Sequence, residues 1–171
     1  YYKLNKNVSG LHGMHNNQLT SVESDGITKG QILPQNQLSF HSYKDGAKRY
    51  DLIGTSMVMA LASIAFIRAL KKHNITGWGT VPIEFHEQSG KPIEGYQILT
   101  ITGTVAPLDY TGSQPRVRDR PGGKFRKWYG ATLDESTHSG HDMVMPTNNL
   151  LMIINERTKQ AAGRVRAVYV H

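Results

Sequence analysis

Apolar residues run almost unbroken from Met57 to Leu70, interrupted by little more than Ser63 and Arg68. A segment apolar on nearly every side is buried on more than one side, so the run predicts a long central helix at about 56–72. Thr55 or Ser56 supplies an oxygen for a free amide of its first turn. Lys71, Lys72 and His73 crowd the last turn, where cations complement exposed carbonyls, and Asn74 and Gly77 are stop signals. The period then changes to two. Val81, Ile83 and Phe85 alternate with Pro82, Glu84 and His86, predicting a strand with one apolar face, and Pro82 places it at an edge or a strand start. Gln88-Ser89-Gly90-Lys91 reads as the turn to a return strand, Tyr96–Val105, rich in Thr and Ile. Leu150–Ile154 reads as a buried strand. Asn155 caps a short helix over Glu156–Ala162 that Gly163 ends, and Arg164–Val170 is a last strand.

Other stretches are weakly patterned. Residues 1–54 are polar, rich in Asn, Gln, Ser and Gly; Tyr1–Leu4, Gly30–Leu33 and Gln37–Tyr43 are short strand candidates without strong periodicity. From about 111 to 130 the chain is rich in Gly, Pro and Arg and reads as a long loop, a length that in a compact domain usually carries function. No repeat or linker divides the chain. The expectation is one α+β domain: a polar N-terminal part (1–54), a helix–hairpin core (55–110), a basic loop (111–130) and a C-terminal strand–helix–strand (143–170). Its sheet is expected to be mainly antiparallel and covered by the one long helix.

Composition narrows the class. The 171 residues are 38% hydrophobic with 17 glycines, a globular mixture that excludes a fibrous or disordered chain. Zero cysteines exclude a disulfide scaffold, a thiol nucleophile and Cys-ligated metal, and fit a reducing cytoplasm. The 57–70 run is too short to cross a bilayer and the opening residues do not read as a secretory leader, so no membrane association is expected. The formal charge of +7 is concentrated. Arg116, Arg118, Arg120, Lys124, Arg126 and Lys127 fall within 115–128 beside one acid, Asp119, leaving 14 cations and 12 acids for the rest of the chain. This is a near-neutral domain with one basic segment.

That segment interleaves cations with Phe125 and Trp128, the makings of a surface for an acidic partner or for single-stranded nucleic acid. Pro121-Gly122-Gly123 interrupts it, so a mobile, extended loop in which no single helix or strand presents all six charges is expected. The pairs His12/His15 and His138/His141, the latter beside Asp142, have metal-like spacing, but both lie in Gly-containing loops without the helix that would put i and i+3 on one face. They read as idle. No nucleophile elbow, phosphate loop or dinucleotide fingerprint is present, so neither catalysis nor a cofactor is indicated.

The order of short motifs adds a resemblance. Asn74-Ile75-Thr76-Gly77-Trp78, Pro82-Ile83-Glu84, Gly90-Lys91-Pro92-Ile93-Glu94-Gly95-Tyr96, Ile101-Thr102-Gly103, Pro107-Leu108-Asp109, Gly140-His141-Asp142 and Pro146-Thr147-Asn148 follow one another in this sequence. Together they cover about two thirds of the chain, and their order resembles the bacterial immunity proteins of polymorphic-toxin and contact-dependent inhibition systems. The resemblance implies a non-catalytic protein that binds and neutralises a cognate toxin. The matching residues have structural roles open to them: Gly77, Gly90, Gly95, Gly103 and Gly140 for turns or close approach, Trp78 and Tyr96 for anchoring, Asp109 and Asp142 for capping turns. Since complementary fields speed association, a basic inhibitor implies a toxin that is acidic or carries an acidic patch, or a contact that lies away from the basic segment. Single-stranded nucleic acid is the alternative partner.

Overall fold

The computed structural model describes residues 1–4, 14–15, 19–120, 123–129, 131–163 and 167–169. In chain order the elements are β1 (Tyr2–Leu4), β2 (Met14–His15), α1 (Ser21–Thr28), β3 (Leu38–His41), β4 (Leu52–Gly54), β5 (Ala60–Ser63), α2 (Ile64–Lys72), β6 (Trp78–His86), β7 (Tyr96–Ile101) and β8 (Gly103–Val105). There follow β9 (Gln114–Arg120), β10 (Gly123–Tyr129), a 3-10 turn at Glu135–Thr137, β11 (Met143–Pro146), β12 (Ile153–Ile154), α3 (Glu156–Ala162) and β13 (Ala167–Tyr169). The class is α+β. Among the described residues, one sheet has the order β2-β3-β6-β7-β5-β4, a second β13-β1-β12-β11-β8, and β9 pairs with β10 alone.

The long central helix expected at 56–72 is not there. Its first half is strand: Ala60–Ser63 pairs antiparallel with β4 on one side and β7 on the other. The helix starts only at Ile64, because Ser63 is its cap and accepts the Phe66 amide at 3.0 Å. A strand flanked on both edges and covered on both faces is apolar at successive positions, so Ala60-Leu61-Ala62 looks the same as buried helix. At the other end Asn74 takes φ 50° and the Ile75 amide donates to the Leu70 carbonyl, closing α2 at Lys72. Leu61 is fully buried in β5 whereas Ile64, in the first turn of α2, is 38% exposed. Leu61→Ala is therefore expected to cost about 3 kcal/mol in urea melts, and Ile64→Ala less than about 1 kcal/mol. Equal losses would return the two residues to one buried helix face.

Nor is there a single, mainly antiparallel sheet. Both large sheets are mixed, through the parallel pairs β3–β6 and β8–β11. The return strand expected over Tyr96–Val105 is split at Thr102, and the chain passes there from one sheet into the other. Pro82 lies inside a strand with neighbours on both sides, where the pairing to β7 ends and that to β3 begins. The polar N-terminal part holds an unexpected helix, α1. Thr20 accepts the Glu23 amide while the Glu23 carboxylate accepts the Thr20 amide, a reciprocal capping box. Gly30–Leu33 follows this helix as turn and coil, not strand. The strand expected over Leu150–Ile154 contracts to Ile153–Ile154, while α3 spans Glu156–Ala162 with its Asn155 cap and terminal Gly163 as read from the sequence.

The apolar residues gather in three clusters. The first joins α2 and α3 to both sheets through Phe66, Leu70, Leu99, Met143, Ile154 and Ala161. The second joins α1 to the other face of the six-stranded sheet through Ile27, Phe40, Leu61 and Ile98. The third is smaller: Val105, Leu108, Val144 and Ile153, with Tyr110, Ala131 and Leu133 packed against them. It is the footing of the β9–β10 pair.

A candidate partner-binding ribbon

Where a basic loop was expected, the chain folds back on itself as a two-stranded antiparallel ribbon. Seven positions pair in register, from Gln114 opposite Tyr129 at the base to Arg120 opposite Gly123 at the end, so the ribbon is about 23 Å long at ~3.3 Å per residue. Val117, Phe125, Trp128 and Tyr129 suit extended pairing. The Pro-Gly break falls on the connection: 121 and 122 lie outside the described residues, and the flanking positions already pair. Charges that no single strand carries are thus shared by two paired ones.

The footing is specific. Leu108 and Tyr110 precede the ribbon, Ala131 and Leu133 follow it, and all four belong to the third cluster. Between them Asp109 and Thr132 exchange backbone hydrogen bonds at 3.1 and 2.9 Å. The exposed Asp109 carboxylate accepts the Thr111 amide and hydroxyl, bonds that hold its carboxyl below the usual range against a small opposing effect of burial. The Tyr110 hydroxyl accepts from Asn149 Nδ2 at 3.1 Å.

Register divides the ribbon chemically. Directly opposed positions share a face and successive ones alternate. Gln114, Arg116, Arg118 and Arg120 therefore share one face with Gly123, Phe125, Lys127 and Tyr129. The other face takes Pro115, Val117, Asp119, Lys124, Arg126 and Trp128. Four of the six cations fall on the first face with no acid; the second has two cations and the acid, with Asp119 directly opposite Lys124. Val117 is 52% exposed, so the second face is open to solvent at its midpoint.

Most residues of the ordered motifs lie outside the ribbon: Leu108 and Asp109 lead into its base, and Thr76 and Asp142 belong to a carboxylate hub. Asp142 Oδ2 accepts the Thr76 amide and hydroxyl at 2.9 and 3.0 Å, and Oδ1 accepts Asn155 Nδ2 at 2.7 Å. Arg157 lies 3.6 Å from Oδ1 and donates to the His73 and Asn74 carbonyls just past α2. Burial pushes the Asp142 carboxyl up, but the hydrogen bonds from Asn155 and Thr76, aided by Arg157, outweigh it and hold the group below the ordinary carboxylate range. Gly77 and Gly103 both lie so close to the Met143 carbonyl that neither position has room for a Cβ. Half-buried Trp78 packs against the first cluster, its Nε1 donating to the Ile75 carbonyl at 2.7 Å; the Tyr96 hydroxyl donates to the Tyr50 carbonyl at 2.8 Å, and burial raises its pKa. Gly90, Gly95 and Gly140 take positive φ in turns, at 87°, 82° and 79°. Asn155 is legible as a helix cap and Thr76 as part of a motif, but nothing in the sequence joins either of them, or Arg157, to Asp142; only the fold does.

Of the two histidine pairs, one is described only in part. His12 lies outside the described residues, and His15 pairs with Phe40 in the β2–β3 ladder. His138 Nδ1 accepts the Gly140 amide at 3.0 Å and its ring sits 5.2 Å from that of Tyr1. Burial lowers the His138 pKa, against the pull of Glu135 and with a further push from His141, which is itself exposed. Among the described residues no three His, Cys, Asp or Glu side chains are placed to hold a metal ion. An open cleft of about 470 Å³ between α1 and residues 147–150 is lined by Asp25, Lys29, Thr147, Asn148, Asn149 and Leu150, with Lys29 Nζ donating to the Thr147 carbonyl at 3.1 Å. No described helix is long and apolar enough to cross a membrane.

No protein-family model matches this sequence, and a search of curated proteins finds no match.

Proposed function

We propose that this chain is an immunity-type protein that binds a bacterial toxin in the cytoplasm and neutralises it without chemistry of its own, and that the β9–β10 ribbon is the part that meets the toxin. The observation that carries this reading is the ribbon itself. It rises from the third cluster, pairs with neither large sheet and holds six cations against one acid on a body otherwise close to neutral. Such a field steers encounter with an acidic surface. The ordered motifs support the same reading, since they build the body that holds the ribbon. The test is to mix the purified chain with the purified product of the adjacent gene and to co-express the two in a bacterial host. A stable complex and restored growth are expected.

Single-stranded nucleic acid is the second reading, favoured by one observation: Phe125 and Tyr129 share a face with four cations, and aromatics among cations are how bases and phosphates are held together. Here binding to an oligonucleotide falls by about 0.7 log unit per phosphate contact for each tenfold rise in salt. Sub-micromolar oligonucleotide binding with that steep slope, and no complex with the adjacent gene product, would replace the first reading by the second.

A further inference from the structure

Resting on the proposed reading that the ribbon meets an acidic protein, we infer that it docks through one face only: the face of Arg116, Arg118, Arg120 and Lys127 around Phe125, onto a row of carboxylates. The register shows a conflict on that face. Arg116 stands directly opposite Lys127, and like charges directly opposed weaken a strand pair. On the other face the pairing is the reverse, Asp119 opposite Lys124, which helps the ribbon fold. Two faces of one hairpin thus follow different rules, one fitted to the folding of the ribbon and the other at odds with it. Local conflict with folding marks functional positions. Alternate positions of a strand lie ~7 Å apart, so positions 116, 118 and 120 follow one another along one face at a spacing that an extended acidic segment can match. The repulsion that weakens the free ribbon is relieved when carboxylates lie among the cations.

The test compares Arg116→Glu with Arg126→Glu in the full chain. The two positions are near the same height on the ribbon and on opposite faces, and each change alters the net charge equally. Arg116→Glu also converts the opposed like pair into an opposite one, so its melting temperature should not fall below that of the wild type, and lost binding cannot be assigned to unfolding. The probe is an oligo-glutamate peptide at low salt, with oligo-dT beside it. Arg116→Glu should weaken oligo-glutamate binding about tenfold and Arg126→Glu less than about twofold. Equal losses in the two variants overturn the one-face docking and leave the toxin-binding reading standing, because that reading fails only if wild type forms no complex with the adjacent gene product. Failure of wild type to bind oligo-glutamate, or tighter binding of oligo-dT with the same dependence on Arg116, overturns the acidic-protein assignment.

Discussion

Asp142→Ala should lower the stability of the whole chain by about 3–5 kcal/mol. Its side chain is only 10% exposed and ties its own segment to two others: Thr76 beyond α2, and the start of α3 through Asn155 at the cap and Arg157 in the first turn. Asn155 also accepts the Thr158 amide, so the group that starts α3 is itself held in place by Asp142. Removing the carboxylate leaves the Thr76 amide and the Asn155 amide group without partners in a site where water enters poorly, and each such loss costs about 1–3 kcal/mol. The ion pair contributes less, because the Arg157 side chain is 54% exposed and 3.6 Å away. Asp142→Asn keeps the shape and should cost about half as much, by setting one amide group against another. The pH dependence has a definite sign. The folded carboxyl is held below its unfolded value of about 3.9, so its contribution is fully present above that pH and disappears as the pH falls through the folded value. The stability gap between wild type and Asp142→Asn in urea melts should therefore narrow in acid. A gap below about 1 kcal/mol at neutral pH for Asp142→Ala would show that the hub is peripheral.

The hub shows which parts of the fold were legible in the sequence. Asn155 and Gly163 bracket α3 through local chemistry, a cap and a left-handed stop, and local chemistry can be read directly from residues. Thr20 and Glu23 carried a signal of the same kind for α1, the S/T-x-x-E signature, but without an apolar stripe behind them they passed as one more polar stretch. The 57–70 run misled for the opposite reason. Its first half is a strand buried on both faces and its second a helix that leaves Ile64 exposed; an apolar run does not separate the two, and the Ser63 cap at its midpoint is the cue that does. Sheet order is less accessible still. Nothing around Leu38–His41 indicates a parallel neighbour 45 residues later, because the β3–β6 pairing is settled by tertiary packing. In the ribbon, composition located the charge, but only the register could divide it four to two between faces.

Two of the motif glycines, Gly77 and Gly103, meet at one crowded crossing, and three substitutions separate collision from backbone strain. At Gly77, φ is 83° and an added Cβ would press into the Met143 carbonyl oxygen and lie 2.6 Å from His141 Cβ. At Gly103 the backbone does not need positive φ, but a Cβ would meet the same carbonyl and lie 2.9 Å from His141 Cβ. At Gly90 φ is 87° and a Cβ would meet nothing within 4 Å. Gly90→Ala therefore imposes backbone strain alone, Gly103→Ala collision alone, and Gly77→Ala both. The Gly77 carbonyl accepts the Thr102 and Gly103 amides at 2.9 and 3.2 Å, and the Met143 amide donates to Thr76, so a collision cannot be relieved without breaking bonds that join the two sheets. Strain of a non-glycine residue there costs about 1–3 kcal/mol and forced overpacking about as much again. Gly90→Ala should lose about 1–2 kcal/mol, Gly103→Ala about 2–3, and Gly77→Ala about 4–6, enough to leave much of the chain unfolded at 37 °C given the marginal stability of ordinary domains. Thermal melts of the three variants, with soluble yield as a second readout for Gly77→Ala, check the order. If Gly77→Ala proves no worse than Gly90→Ala, the three segments do not meet as described, and the crossing that carries the chain from β7 into β8 must be more open than this packing allows.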